Sequence, residues 1–553
     1  MSGFKHAHTH HVEGLGFAQQ AVELADNKPS ERPAAKVLLK KAAASFQEAA
    51  DLMSHNPQHW FQLGGVHELL DLGASPPKAV QAYSRVVDLM VKTTLKNSLT
   101  ASQRQLLART FFKRGMVSVT DTTVPLASVW SDLRQATLLA ISGARAPADV
   151  KADTKVPSWQ EILGHELPAG ATGDEAAMAL VALMSKAEHM AAQIAYLPPS
   201  DGGWAALLPA LRMVHEAASK VLRVSGSSSG DAPASLTEAL WRTLDRRGKP
   251  PARAAVSAMW DKMYHHPALQ APPPAISNQP GLGGACGGSP CLSSTIDWRA
   301  VEATYERDRV VVVDNLLSSA GLTSLRLLAH NATVWHDGKI GYVGARLNTG
   351  LVSLQLLGVA RELSAALPSV VCGRRLKSAW AFKFAQGGGG DGGDGGDDGG
   401  DGGDGGAADG GGGAAAAGAA GERDNLNGVG LHADAAAVNL NLWVSEEGAN
   451  EAQGGMVVHT VEPPAEWTFS DFQNVEKIQP LLEGGGGGRR IEHKPNRLVL
   501  FKSNLFHETD RGAFRAGYQN RRINFAFLFG QRGLACPSEE RDEPRESKWR
   551  DEL

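Results

Sequence analysis

Two textures divide the chain. From about residue 17 to 265, apolar residues recur at three- and four-residue spacing with few β-branched runs, which is the period of amphipathic helices. After about residue 296 the pattern shortens to apolar runs bounded by turn residues: RVVVVDNLLS, KSAWAFKFAQ, VNLNLWVS, GGMVVHTVE, NRLVLFKS and RRINFAFLFG. One helix-like stretch, LVSLQLLGVARELSAAL, lies among them. Many short strands with modest helix content predict a sandwich or jelly roll. The whole therefore reads as an α+β multidomain chain, with an all-α N-terminal region ahead of the β domain. Between them, the stretch APPPAISNQPGLGGACGGSPCLSS is punctuated by Pro and Gly and predicts a linker over 266–295.

Within the helical region, Ala42, Phe46 and Ala49, then Trp60, Leu63 and Gly64, fall at spacings that resemble a tetratricopeptide repeat. Small residues let helices approach and aromatics fill the gaps. Ala79 and Tyr83 arrive late for a second repeat, and no third is evident, so the region is tetratricopeptide-like without being a regular array. His6, His8, His10 and His11 crowd the start, and residues 1–16 read as a disordered His-rich terminus. Residues 387–421 are Gly-rich with interspersed Asp, and have no Gly-Lys-Ser/Thr phosphate loop and no apolar position of the kind a calcium-binding β-roll repeat requires, the composition of a disordered insertion inside the β domain. Residues 484–488 look like a smaller version of it, and 533–553 form a charged tail.

Composition narrows the function classes. No run of about 18 apolar residues is present to cross a membrane. The formal charge is −4, but seven aspartates sit in the Gly-rich tract, and without them the balance is +3. Neither value creates the basic field of a general nucleic-acid binder. Four cysteines in 553 residues make no disulfide framework, so a reducing compartment is the simpler expectation. The N-terminus lacks the apolar centre of a secretory signal, which favours a cytoplasmic location; the final RDEL is of the endoplasmic-reticulum retention type and makes that compartment the alternative.

Candidate chemistry begins with GVGLHADAAAVNLNLWVS. His432 and Asp434, two apart on extended chain, point to the same side. Two His and one carboxylate on one face of a metal are the donor set of mononuclear Fe(II) oxygenases. The third ligand is sought downstream among His459, His493 and His507. His507 is chosen, because NRLVLFKSNLFHETD places it just past an apolar strand; His459 reads as a core or edge histidine and His493 as a loop residue. On the following strand, Arg522 and Asn524 share a face, and a strand-borne Arg beside a metal can grip a small dicarboxylate by a bidentate pair. Arg521 then points to the other side, where an exposed ion pair is expected.

In that order, LHADAAAVNLNLWVS, LVLFKSNLFHETD and RRINFAFLFG resemble the 2-oxoglutarate and Fe(II)-dependent dioxygenases, on the prolyl-hydroxylase-like side of the superfamily. VVVVDNLLSSAGLTSLRLL is similar to the entry strand and helix of such domains, and the resemblance covers roughly 300–532. It implies a double-stranded β-helix (jelly-roll) oxygenase domain over 296–532. It further implies His432, Asp434 and His507 as metal ligands, and Arg522, with Asn524 beside it, on the far carboxylate of 2-oxoglutarate. The implied cofactors are Fe(II), 2-oxoglutarate as cosubstrate, O2 and, optionally, ascorbate. The reaction would hydroxylate a protein or peptide side chain and release succinate and CO2. Lys is usual at the Arg522 position in collagen-type enzymes, and Ser or Thr at Asn524 in many relatives; both departures bear on the substrate. A non-catalytic helical scaffold with a vestigial jelly roll, and a cupin-like metalloenzyme not using 2-oxoglutarate, are the alternatives.

Overall fold

The computed structural model describes residues 2–27, 32–70, 76–94, 99–144, 158–163, 167, 173–197, 207–227, 236–248, 285–339, 341–384, 428–434, 436–464, 467, 471–485, 487–510 and 512–530. The Gly/Asp tract 387–421, the first part of the expected linker and the C-terminal tail lie outside them.

Up to residue 248 the regular elements among the described residues are helical: α1 (Ser2–Asn27), α2 (Arg32–Leu52), α3 (Pro57–Leu70), α4 (Pro77–Thr94), α5 (Ala101–Ser118), α6 (Leu126–Ala144), α7 (Trp159–Leu163), α8 (Gly173–Tyr196), α9 (Leu208–Ser227) and α10 (Leu236–Arg247). From α1 through α6, each helix packs on its neighbour in sequence. The small-and-aromatic pattern does the packing: Ala42, Phe46, Leu63, Ala79 and Tyr83 are buried, and a Cβ on Gly64 would come within 2.6 Å of the Tyr83 ring. The His-rich start is not a disordered terminus but the first turns of α1. Its small residues at seven-residue intervals, Ala7, Gly14 and Ala21, face inward, and Gly14 lies under Phe46. Small residues flanked by His carry little hydrophobic signal, which is why the pattern hid this helix. None of the described helices is long and apolar enough to cross a membrane.

The second half adds α11 (Trp298–Asp308), β1 (Val310–Val313), α12 (Ser319–Asn331), β2 (Asp337–Lys339), β3 (Tyr342–Arg346), α13 (Leu354–Ala366), α14 (Pro368–Val371), β4 (Leu376–Phe384), β5 (Val438–Trp443), β6 (Asn450–Gln453), β7 (Met456–His459), α15 (Val475–Gly485), β8 (Gly488–Ile491), β9 (Arg497–Lys502), β10 (His507–Thr509), β11 (Gly512–Phe514) and β12 (Ile523–Phe529). A seven-stranded antiparallel sheet runs β1-β9-β5-β12-β4-β3-β2, and a three-stranded sheet runs β10-β7-β8. Residues 484, 485 and 488, expected within a second Gly-rich insertion, instead close α15 and open β8.

Both faces of the large sheet are covered, which explains why its strands read as nearly unbroken apolar runs. Leu440, Leu442, Leu498, Leu500, Phe525 and Phe527 form one core with α12 and α13, while Trp443, Val499 and Phe501 face Met456 and Val458 of the small sheet. Met116 of α5, Val119 just past its end, and Val129 and Leu133 of α6 belong to that first core, so the helical region is packed on the back of the sheet. Arg361 of α13 donates to the carbonyls of Ser118, Val119 and Val124, and Gln193 of α8 to those of His330 and Ala332.

Two expectations fail at the 285–295 segment. It is part of the β domain: Glu362 of α13 accepts from the Cys291 and Leu292 backbone amides, and Leu292 joins the core. Cys286 and Cys291 form a disulfide, and Cys372 is disulfide-bonded as well, so the described cysteines are oxidised. A short Gly-rich span between two cysteines conceals how the surrounding chain brings them together.

Candidate metal centre

Backbone pairing builds the centre before any side chain does. His432 and His507 exchange both N–H···O bonds, at 3.0 and 2.8 Å, as a narrow antiparallel bridge. Their rings therefore stand side by side, with centroids 4.3 Å apart. Each Nδ1 lies by a backbone carbonyl two residues earlier, His432 by Gly430 at 2.7 Å and His507 by Leu505 at 2.9 Å. A carbonyl only accepts, so both Nδ1 atoms carry the proton and both Nε2 atoms keep a lone pair. Those lone pairs converge with Asp434: Oδ1 lies 3.9 Å from His432 Nε2, and Oδ2 lies 3.6 Å from His507 Nε2. One ligand atom from each of the three lies within 4.8 Å of the others, the only such group of His, Cys, Asp or Glu among the described residues.

Burial supplies the electrostatics. Desolvation raises the Asp434 carboxyl, opposed by His432, Lys377 and Arg346, and lowers His507 well below the usual imidazole range. A carboxylate short of positive partners and a neutral imidazole suit a divalent cation, which needs deprotonated donors. The other two histidines stand elsewhere. His459 ends β7 with Nε2 3.8 Å from Glu508 Oε1, and His493 lies in a loop but is buried, stacked on Trp443 and 3.2 Å from Ser445 Oγ.

A small, partly open cavity of about 20 Å³ lies beside the two histidines, walled by Trp380, Phe382, Asn441, Trp443, Met456 and Arg522. Arg522 and Asn524 face inward, as their spacing predicts. Arg522 Nε and Nη2 donate to the carbonyls of Gly454 and Gly455 at 2.6 and 3.1 Å, and the guanidinium sits about 5 Å from the Phe382 and Phe384 rings. Its Nη1 is buried without an acceptor. Burial pulls Arg522 down to about 9, still charged at neutral pH, and the opposing carboxylate, Asp510, is already bonded to Arg490. An aromatic-walled cation with one unmet donor is a place for an anion. Asn524 does not line the cavity; its amide donates to Asn441 at 2.8 Å.

Arg521 points the opposite way, as alternation requires, but it is not in an exposed ion pair. It is buried against Glu188 of α8 and the Tyr518 ring. The alternation was legible, whereas the cover supplied by α8 was not. Sequence reasoning also missed the Gly454–Gly455 corner that grips Arg522. Here a Cβ on Gly455 would fall 1.8 Å from the Ile491 carbonyl oxygen, so only Gly fits; the Gly-Gly preceding β7 was the available signal.

Comparison with known proteins finds no family model and no curated relative that matches the chain.

Proposed function

We propose that the chain is an Fe(II)- and 2-oxoglutarate-dependent dioxygenase that hydroxylates a protein or peptide side chain. The observation that carries this reading is one cavity with two kinds of unmet demand. His432 and His507 line one end, where Asp434 converges with them behind the wall, and Arg522 holds an unmet Nη1 donor in the same cavity. Two His and a carboxylate, with room left open, suit non-haem Fe(II) better than a closed structural site. The two facing antiparallel sheets support the double-stranded β-helix reading, and the sequential packing of α1 to α6 supports the tetratricopeptide-like one. The two backbone carbonyls orient the imidazoles, Arg522 would take the far carboxylate of the cosubstrate, and Trp380, Phe382 and Trp443 would keep bulk water from it. Iron and 2-oxoglutarate, when bound, would supply the oxidising power, leaving succinate and CO2 as by-products. Ascorbate would serve only to keep the iron reduced. The bonded cysteines favour an oxidising compartment, and so the endoplasmic reticulum over the cytoplasm.

The test is incubation of peptide pools with the full chain, Fe(II), ascorbate and 2-oxoglutarate, following succinate and a gain of one oxygen by mass. Succinate release above that of an Asp434→Ala control is the expected result. Equal release from both would remove the reading.

A further inference from the structure

The inner face of β5 and β12 carries three buried asparagines linked in a line to the metal carboxylate. Asn439 Nδ2 donates to Asp434 Oδ2 at 2.6 Å, Asn441 Nδ2 to Asn439 Oδ1 at 2.9 Å, and Asn524 Nδ2 to Asn441 Oδ1 at 2.8 Å. The direction of the line follows from one end. As the carboxylate a metal requires, Asp434 would only accept, which matches the NH2 that Asn439 turns toward it; the Asn439 carbonyl then takes its donor from Asn441, and the Asn441 carbonyl from Asn524. The chain ends on Asn524 Oδ1, which is buried without a donor. No amide in it can flip alone without setting two acceptors or two donors against each other.

We propose that Asn439, Asn441 and Asn524 are positioning residues that hold Asp434 for the metal as one polarised relay. Asn439 holds Oδ2, the oxygen 3.6 Å from His507 Nε2, and so fixes the plane of the carboxylate with Oδ1 toward His432. Partners behind a ligating carboxylate typically change metal affinity 10- to 100-fold. The relay extends that influence two hydrogen bonds further, to Asn524, a residue that touches neither the metal ligands nor the cavity. The inference rests on the metal reading of His432, Asp434 and His507.

The discriminating substitution is Asn524→Asp, which keeps the shape and reverses the demand. An ionised Asp at 524 accepts only, and Arg522, two residues away on the same face, favours its charge. Asn441 must then turn its NH2 toward position 524, Asn439 must follow, and an Asn439 carbonyl ends up against Asp434. Asn524→Leu removes the last donor but leaves the direction of the rest intact. Full-length wild type and variants are titrated with Co(II) without oxygen, reading both the dissociation constant and the visible ligand-field bands, with Asp434→Ala as background and near-UV circular dichroism as the check on folding.

Asn439→Leu should weaken Co(II) binding about 10- to 100-fold and shift the bands, Asn524→Asp about 10-fold with a band shift, and Asn524→Leu under about 3-fold with none. A loss for Asn524→Leu equal to or larger than that for Asn524→Asp would reduce the asparagines to packing and overturn the relay. Wild-type affinity and spectrum in Asn439→Leu would overturn it equally, and that variant decides the matter if Asn524→Asp does not fold. Wild type binding no more Co(II) than Asp434→Ala would instead bring down the metal reading itself, and the relay with it.

Discussion

The two faces of the large sheet bury the same kinds of side chain and put them to different use. On the inner face, His432 and His507 direct lone pairs at one point beside a carboxylate, next to a cavity. On the outer face, Lys383, His189 and His330 surround Tyr518 beneath α8, where Lys383 Nζ donates to Tyr518 Oη at 2.7 Å and lies 4.3 Å from the Trp335 ring centroid. Burial drives Lys383 and His189 far below their ordinary ranges and His330 to about 3. Titration anomalies are thus at least as strong on the outer face. What separates the faces is convergence: the outer groups are spread over aromatic rings, and the acids beside them are engaged by arginines, Glu188 by Arg521 and Glu446 by Arg326. A perturbed pKa by itself would not have told the convergent side of the sheet from the other.

The comparison breaks most sharply at the ligands. Asp434→Ala and His507→Ala should each abolish turnover, a loss of at least about 100-fold, since changes one step behind the ligands already reach that size. Atomic absorption of the purified variants should show the iron lost with the activity. Retention of stoichiometric iron in either would remove that residue from the centre.

On the outer face the effect should fall on stability. Arg521→Ala removes the buried guanidinium that pairs with half-buried Glu188, an expected loss of about 1.5–3 kcal/mol in urea unfolding. A loss under about 1 kcal/mol would mean that α8 does not cover this strand as described.

Lys383 gives a smaller signal with a definite sign. Its folded pKa lies below the 10.5 of the unfolded chain, so between those values unfolding takes up a proton and stability rises with pH. Lys383→Met should remove that rise, up to about 1.4 kcal/mol per pH unit, and be no less stable than wild type at pH 7. An unchanged slope between pH 7 and 9 would show that the amine stays charged in the fold.

The smallest expected effect is that of His459→Ala on the metal. His459 belongs to the small sheet but not to the convergent group, and iron content should stay at the wild-type level.

Much of the inner face was legible in sequence. Period-two alternation along VNLNLWVS and RRINFAFLFG separated Asn439, Asn441, Arg522 and Asn524 from their apolar neighbours, and that is how β5 and β12 bury them. His507 was found because an apolar run ended just before it. Position relative to other elements was not legible. Nothing near Arg521 announces Glu188, more than 300 residues earlier, and nothing near Cys286 announces the α13 carboxylate that anchors its loop. The asparagine relay needed the pairing of β5 with β12, which alternation suggests and only register fixes.

The measurement that bears most directly on the central claim is an anaerobic titration of iron-loaded protein with 2-oxoglutarate, comparing wild type, Arg522→Ala and Arg521→Ala. Removing one partner of a buried, hydrogen-bonded charge pair costs about 2–5 kcal/mol, so Arg522→Ala should weaken binding by roughly 30- to 3,000-fold. Arg521→Ala, if it folds, should bind within several-fold of wild type. Equal affinity in wild type and Arg522→Ala would contradict the assignment of the cavity to 2-oxoglutarate.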